Sequence, residues 1–284
     1  MAPRNLQTLS EVFPLYDAVF CDVWGVLHNG LESYPDAVDT LRSAREQGIA
    51  VVLITNSPRV SWQVVEQMRS LGVSDDAYDR IVTSGDVTRS LIAAGPRKIY
   101  FLGPDLHLPL IDNLEVERVA AGTAEVIVCT GLFDDETEKP GDYVELLASF
   151  RERDVQMICA NPDIVVERGK RLVPCAGALA LEYEAMGGRT LIAGKPHGPI
   201  YRAVYAAAVE LRRDLAHGRI LALGDAIVTD VRGALNFGVD LLYVSEGIHA
   251  KEYEGADGRP DEERLFEFLA AHHVSPKWWM ERLV

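Results

Sequence analysis

The sequence predicts an α/β fold, a Rossmann-like parallel sheet into which a second, smaller α/β domain is inserted, and three observations predict it. Short apolar runs rich in valine, isoleucine and leucine alternate with longer stretches of helical periodicity, which is how a parallel sheet covered by helices is encoded. The longest apolar runs, such as Ile49 to Ile54 and Val126 to Cys129, are continuous and short, as expected of buried strands. The pattern also restarts near Lys98 and closes near Gly187 and Gly188, so the middle of the chain reads as an insertion.

Taken in order, AVFCDVWG is the first strand, followed by a turn through Asn29 and Gly30. A helix from about Pro35 to Gln47 opens on proline and stops at Gly48. A second strand, Ile49 to Thr55, follows at once, and a helical pattern beyond Ser57 and Pro58 runs to Leu71 and Gly72. The insertion contributes KIYFLG, AEVIVCTGL, a helix near Tyr143 to Arg153, VQMICAN and the segment GALALEYEAMGGR. The chain then continues with TLIAGKP, a helix from Pro199 to about Arg213, RILALGD and DLLYVSEG. The C-terminal segment, a helix around Glu262 to His272 and then PKWWMERLV, is expected to pack on the core or on a second subunit.

With 284 residues, 48% hydrophobic and 25% charged, the chain can bury a sizeable core and nothing marks a disordered or low-complexity region. The formal charge of −15 would repel a polyphosphate or an anionic membrane, which argues against nucleic-acid binding and membrane docking. A small anionic ligand stays compatible with that charge where a lysine or a metal inverts the local field. No apolar run approaches the roughly 20 residues of a membrane helix, and the N-terminal MAPRNLQTLSEVF has no signal-peptide core. The four cysteines, Cys21, Cys129, Cys159 and Cys175, stand singly, which fits a reduced, cytoplasmic setting.

Four apolar runs end in a polar residue: FCD at Asp22, VLIT at Thr55, LIAGK at Lys195 and LALGD at Asp225. In an open parallel sheet the carboxyl ends of the strands share one rim where ligands bind, so these four residues are expected to converge. Two carboxylates suit a hard cation, a hydroxyl donates a hydrogen bond, and an ammonium offsets an anion's charge. A phosphate bridged to Mg²⁺ would use all four. A P-loop is excluded, because Gly194 and Lys195 are followed by Pro196 and position 189 is Arg189 where that motif needs glycine. Serine-hydrolase and zinc-protease motifs are absent as well.

These segments resemble the four motifs of the haloacid dehalogenase-like superfamily, in its class IIA branch of nitrophenylphosphatase-like and nucleotide or sugar phosphatase-like proteins. DVWGVLHNG from Asp22 resembles the first motif, ITNSPR from Ile54 the second, and AGKP from Ala193 the third. GDAIVTD from Gly224 to Asp230 is the most specific match, and ANPD from Ala160 to Asp163 resembles a segment of class IIA caps. The resemblance implies a catalytic core at 1–85 and 189–284 and a substrate-selecting cap at 86–188. It also implies that Asp22 attacks phosphorus and binds Mg²⁺, and that Thr55, the Asn56 backbone and Ser57 hold phosphoryl oxygens with Lys195. Asp225, Asp230 and the Trp24 carbonyl would complete the metal site. The implied partner is a small phosphorylated metabolite, with the cap and the aromatic C-terminus as candidate homodimer surfaces.

One position departs from the family. Its phosphatases carry a second aspartate two residues after the nucleophile, which protonates the leaving alkoxide, and this chain has Trp24. Indole is no acid at neutral pH, and general acid catalysis is worth on the order of 10² to 10⁴ in rate, about 3 to 5 kcal/mol. Substrates with good leaving groups, such as aryl or acyl phosphates, would suffer least. His28 is open to two readings, a replacement acid or a loop histidine. Three functional readings follow: a Mg²⁺-dependent phosphatase, a phosphate-ligand binder with little turnover, and a metal-independent dehalogenase like those that resemble this pattern with tyrosine at the same place. The acidic pair Asp225 and Asp230 favours the first over the third. Trp62, Trp278, Trp279, His272 and His273 read as packing or helix-end residues, Arg59 as solvated or ion-paired, and Asp163 and Arg168 as candidate ligand contacts from the cap.

Overall fold

The computed structural model describes residues 3–168 and 171–284; the side chain of Arg168 lies outside the described residues. The chain divides into two compact units, one of Met1–Thr55, Val65–Val82 and Tyr201–Val284, the other of Asn56–Val64 and Thr83–Ile200.

The first unit is built on a seven-stranded sheet in the spatial order Arg4–Asn5, Trp278–Met280, Asp240–Val244, Ile220–Gly224, Ala18–Asp22, Ala50–Thr55, Arg80–Thr83. The pairings of Ala18–Asp22 with Ile220–Gly224 and Ala50–Thr55 are parallel, as is the run on to Asp240–Val244 and Trp278–Met280. Every residue of Ala18–Asp22 and Ala50–Thr55 is buried, which is why these strands read as continuous apolar runs. The helix Pro35–Glu46 opens with proline in its first turn and is followed by Gly48 at φ +81°, and it buries Ala37, Val38, Leu41 and Ala44 at helical spacing. From Ala18–Asp22 the chain builds outward in one direction, and the strands after residue 219 build in the other. The boundary between Ala18–Asp22 and Ile220–Gly224 is therefore a switch point, the place where open α/β sheets bind ligands at the carboxyl ends of their strands.

The second unit has its own five-stranded sheet, ordered Thr190–Ile192, Gln156–Cys159, Val126–Cys129, Lys98–Leu102, Glu117–Arg118, with all four pairings parallel. Val165–Arg168 pairs antiparallel with Arg171–Pro174. The helices Val144–Glu152 and Ala176–Ala185 cover the sheet through a core that includes Leu147, Phe150, Met157, Leu179 and Tyr183. The expected α/β architecture, a parallel core sheet with a smaller α/β insertion, is what the structure has.

Two expectations change. Thr190–Ile192 pairs in parallel with Gln156–Cys159, so the run that leads to Lys195 belongs to the second sheet and does not end on the rim of the first. The C-terminal aromatics are not a free surface for a partner. Trp278–Met280 is a strand of the first sheet, and Trp278 and Trp279 are buried there. Trp62, by contrast, is exposed. His272 and His273 do end a helix: Glu262–Ala271 stops before His272, and His273 takes the left-handed conformation at φ +56°. All four cysteines are buried and none is joined in a disulfide. Among the described residues no helix is long and apolar enough to cross a membrane.

Candidate active site

Asp22 is the last residue of an interior strand of the first sheet, and Asp225 directly follows the neighbouring strand Ile220–Gly224, the central one. Their position at the switch point follows from the parallel register, in which Leu223 pairs with Cys21. Asp230 is brought back to them by a π-type turn over Ile227–Val231, closed by the Val231 N–H on the Ala226 carbonyl. The result is a buried group of three carboxylates, Asp22, Asp225 and Asp230, with one oxygen of each within 4.8 Å of the others.

Backbone donors orient each carboxylate. Asp22 Oδ1 accepts the Val23 N–H at 2.8 Å, Asp225 Oδ2 accepts the Ile248 N–H at 2.8 Å, and Asp230 Oδ2 accepts the Ala226 N–H at 3.2 Å. Glycines let the chain close on them: a Cβ at Gly25 or Gly247 would collide with the Asp225 carboxylate, and one at Gly224 with Asp230. Three like charges at this separation repel strongly in a buried setting, and a hard divalent cation with oxygen ligands is the species that makes such a group stable. The donor set therefore fits Mg²⁺.

The residues around Asp225 that the sequence did not single out lie in the loop after Asp240–Val244. Ile248 supplies a hydrogen bond to Asp225, and His249 Nε2 accepts the Ile227 N–H at 3.3 Å, which anchors the start of the turn that carries Asp230. Burial lowers the pKa of His249. The available signal was Gly247, a glycine just past a strand on the same rim.

Thr55 ends the strand beside that of Asp22 and is buried. The next two predicted residues belong to the second unit, and there the structure joins Asn56 to Lys195. The Asn56 side chain accepts the Lys195 N–H at 2.7 Å and donates to the Lys195 carbonyl at 3.3 Å and to Asp163 Oδ1 at 2.9 Å. A Cβ at Gly194 would meet Asn56 Oδ1 and the Pro162 ring, so the third motif needs glycine for this approach. The Asn56 side chain is thus a backbone clamp, and Lys195 beside it is almost wholly buried. Ser57 turns its hydroxyl to the Arg59 N–H at 3.3 Å, and its carbonyl accepts the Gly85 N–H at 3.0 Å.

Trp24 and His28 form a small assembly after the Asp22 strand. His28 is 2% exposed and Trp24 is 40% exposed. Their rings meet edge to face, with centroids 5.2 Å apart and planes at 76°. His28 Nδ1 accepts the Gly30 N–H at 3.1 Å, so the neutral ring carries its proton on Nε2. Burial pushes the pKa of His28 down to about 4. Of the two readings, the loop histidine is the one the geometry supports.

That burial has a measurable consequence. The folded state holds a neutral ring while the unfolded chain binds a proton at the ordinary value of 6.5. This contribution to stability is full above pH 6.5 and is lost as pH falls toward 4, by at most about 3 kcal/mol. In urea denaturation the His28→Gln protein should decline less steeply than wild type across that window. Parallel declines would mean that His28 is not held neutral.

The comparisons with known proteins agree with this picture. A family model described as haloacid dehalogenase-like hydrolase matches residues 19–117, and a second, HAD-hydrolase-like model matches residues 192–267. A crystal structure of a hydrolase of the haloacid dehalogenase-like family from Brucella suis 1330 is 50% identical, covers 98% of this chain and 100% of its own, and superposes with a TM-score of 0.87. The ribonucleotide monophosphatase NagD of Escherichia coli strain K12 is 25% identical over 235 residues, 81% of this chain and 88% of that protein. An acid sugar phosphatase of Staphylococcus saprophyticus is 25% identical over 245 residues, 84% of this chain and 89% of that protein. Asp22 and Lys195, reached above from the ends of apolar runs, thus each lie within a matched segment, and the chain belongs to the haloacid dehalogenase-like hydrolases, class IIA.

Proposed function

We propose that this protein is a Mg²⁺-dependent phosphatase of small phosphorylated metabolites. The observation that carries the reading is the buried group of Asp22, Asp225 and Asp230, oriented by backbone donors in a chain of this family. Relatives described as a ribonucleotide monophosphatase, an acid sugar phosphatase and a 5'-nucleotidase support a phosphate monoester as the substrate class.

In this reading an Asp22 oxygen attacks phosphorus, the bond to the leaving oxygen breaks with its electron pair, and an aspartyl-phosphate forms. Water then attacks that phosphorus, releasing inorganic phosphate and restoring the carboxylate. Mg²⁺, held by Asp22, Asp225, Asp230 and the Trp24 carbonyl, would supply the positive charge that lets a carboxylate approach an anionic phosphate. Lys195 offsets the remaining charge, and Thr55, the Asn56 N–H and Ser57 hold phosphoryl oxygens. Residues 86–188, whose sheet also takes in Thr190–Ile192, act as the substrate-selecting cap, and the rest of 1–85 and 189–284 forms the catalytic core, in a cytoplasmic setting. Trp24, which supplies no acid, also favours a second reading, a phosphate-ligand binder with little turnover.

The deciding experiment is phosphate release from 4-nitrophenyl phosphate with Mg²⁺ and with chelator. Release with Mg²⁺ that chelation removes by at least about 100-fold supports the phosphatase. Equal release in both conditions removes the metal from the reading, and saturable binding without release moves the binder ahead.

A further inference from the structure

We propose that the Trp24 indole is a fixed stacking wall that selects substrates whose phosphate is carried on a planar, conjugated group, such as an aryl or enol phosphate. The inference rests on the phosphatase reading and names the substrate class within it.

Five observations in the first unit support it. Trp24 is two residues beyond Asp22, and the next residue, Gly25, lies against the Asp225 carboxylate, so the Trp24 backbone is anchored next to the acidic group. The ring is held in place. Its edge-to-face partner His28 is buried, and His28 is itself tied down by the Gly30 N–H on Nδ1 and by the Gly25 N–H on its carbonyl at 2.8 Å. Gly30, at φ +86°, leaves the space that the six-membered ring occupies; a Cβ there would lie within the indole. Asn29 Oδ1 accepts the Leu31 and Glu32 N–H groups and stiffens the same turn. Finally, 40% of Trp24 stays exposed, so the fixed ring keeps surface open to a ligand.

A rigid aromatic face loses little entropy when a flat partner stacks on it, and stacking on aromatic side chains stabilises such a partner whatever its edge chemistry. The same leaving groups solve the problem that Trp24 creates. When the bond from phosphorus to oxygen breaks, the electron pair passes to an oxygen conjugated with the ring or double bond. The departing oxyanion is therefore stable without a proton from the protein and takes one from solvent afterwards. Recognition and chemistry point to one substrate class.

The test compares two substrates with good leaving groups, only one of them carrying a ring. With Mg²⁺ present, Trp24→Ala should raise KM for 4-nitrophenyl phosphate about tenfold or more beyond whatever change it makes in KM for acetyl phosphate, so that a general effect on the site cancels in the ratio. Trp24→Phe should restore most of the loss. A second arm needs no turnover: calorimetric titration with phenylphosphonate and methylphosphonate. Wild type should bind the phenyl compound about tenfold more tightly, and Trp24→Ala should erase the difference. Parallel changes for both substrates, or equal binding of the two phosphonates by wild type, overturn the stacking wall. Failure of the phosphatase reading looks different: neither substrate would be turned over more by wild type than by Asp22→Asn, and the phosphonate titrations would still decide the role of Trp24.

Discussion

Asp22→Asn should lower Mg²⁺-supported phosphate release by at least about 10⁴-fold, because the amide keeps the shape of the side chain and removes the nucleophile. Only the electrostatic part of the site would remain, acting on a water molecule that nothing positions. The same substitution removes one of three crowded, buried carboxylates. In metal-free buffer the variant should therefore unfold at a temperature no lower than wild type, since it relieves like-charge repulsion. The two measurements belong together: lost turnover in a protein that is at least as stable assigns the loss to chemistry. A variant that keeps more than about a hundredth of the wild-type rate would show that Asp22 is not the attacking group.

Trp24→Asp should act in the opposite direction on alkyl phosphates. A carboxylic acid two residues after the nucleophile can protonate a departing alkoxide, and such a group is worth on the order of 10² to 10⁴ in rate. The half-exposed position of Trp24 leaves room for the smaller side chain without opening a core cavity. Glycerol phosphate is a suitable substrate, because its leaving group depends most on protonation. Aryl phosphates should gain less and bind more weakly, so the ratio of the two activities should invert in favour of the alkyl ester. No gain on glycerol phosphate would mean that the missing acid does not limit this protein.

The strands were legible where both faces are buried. AVFCD, AVVLIT and ILALG advertise themselves as short apolar runs, and Asp22, which ends the first, and Asp225, which follows the third, are placed by the parallel register. Asp230 was legible only through the family resemblance, because a π-type turn leaves no simple periodicity. The pairing of Thr190–Ile192 was not legible: three residues carry little pattern, and their partner is chosen by hydrogen bonds to Gln156–Cys159, remote in sequence. The clamp from Asn56 to the Lys195 backbone was hidden for a related reason. A side chain that binds main-chain atoms places few demands on the residue it holds, so Lys195 gives no sign of it. His28 was ambiguous until its burial and its Nδ1 acceptor role were seen.

The strand that carries Asp22 has as one neighbour Ile220–Gly224, and all five strands of the second sheet are made in the interval between them. At roughly 5 to 20 residues per second, the ribosome takes on the order of ten seconds to cover that interval. For that time Ala18–Asp22 is an apolar strand with one edge unpaired, the kind of edge that recruits neighbouring chains. The second sheet, contiguous in sequence, can close while it waits. The carboxylate group that defines the protein chemically thus comes into being only after the second sheet is made, and a chain cut short before residue 220 leaves an apolar strand with an uncovered edge.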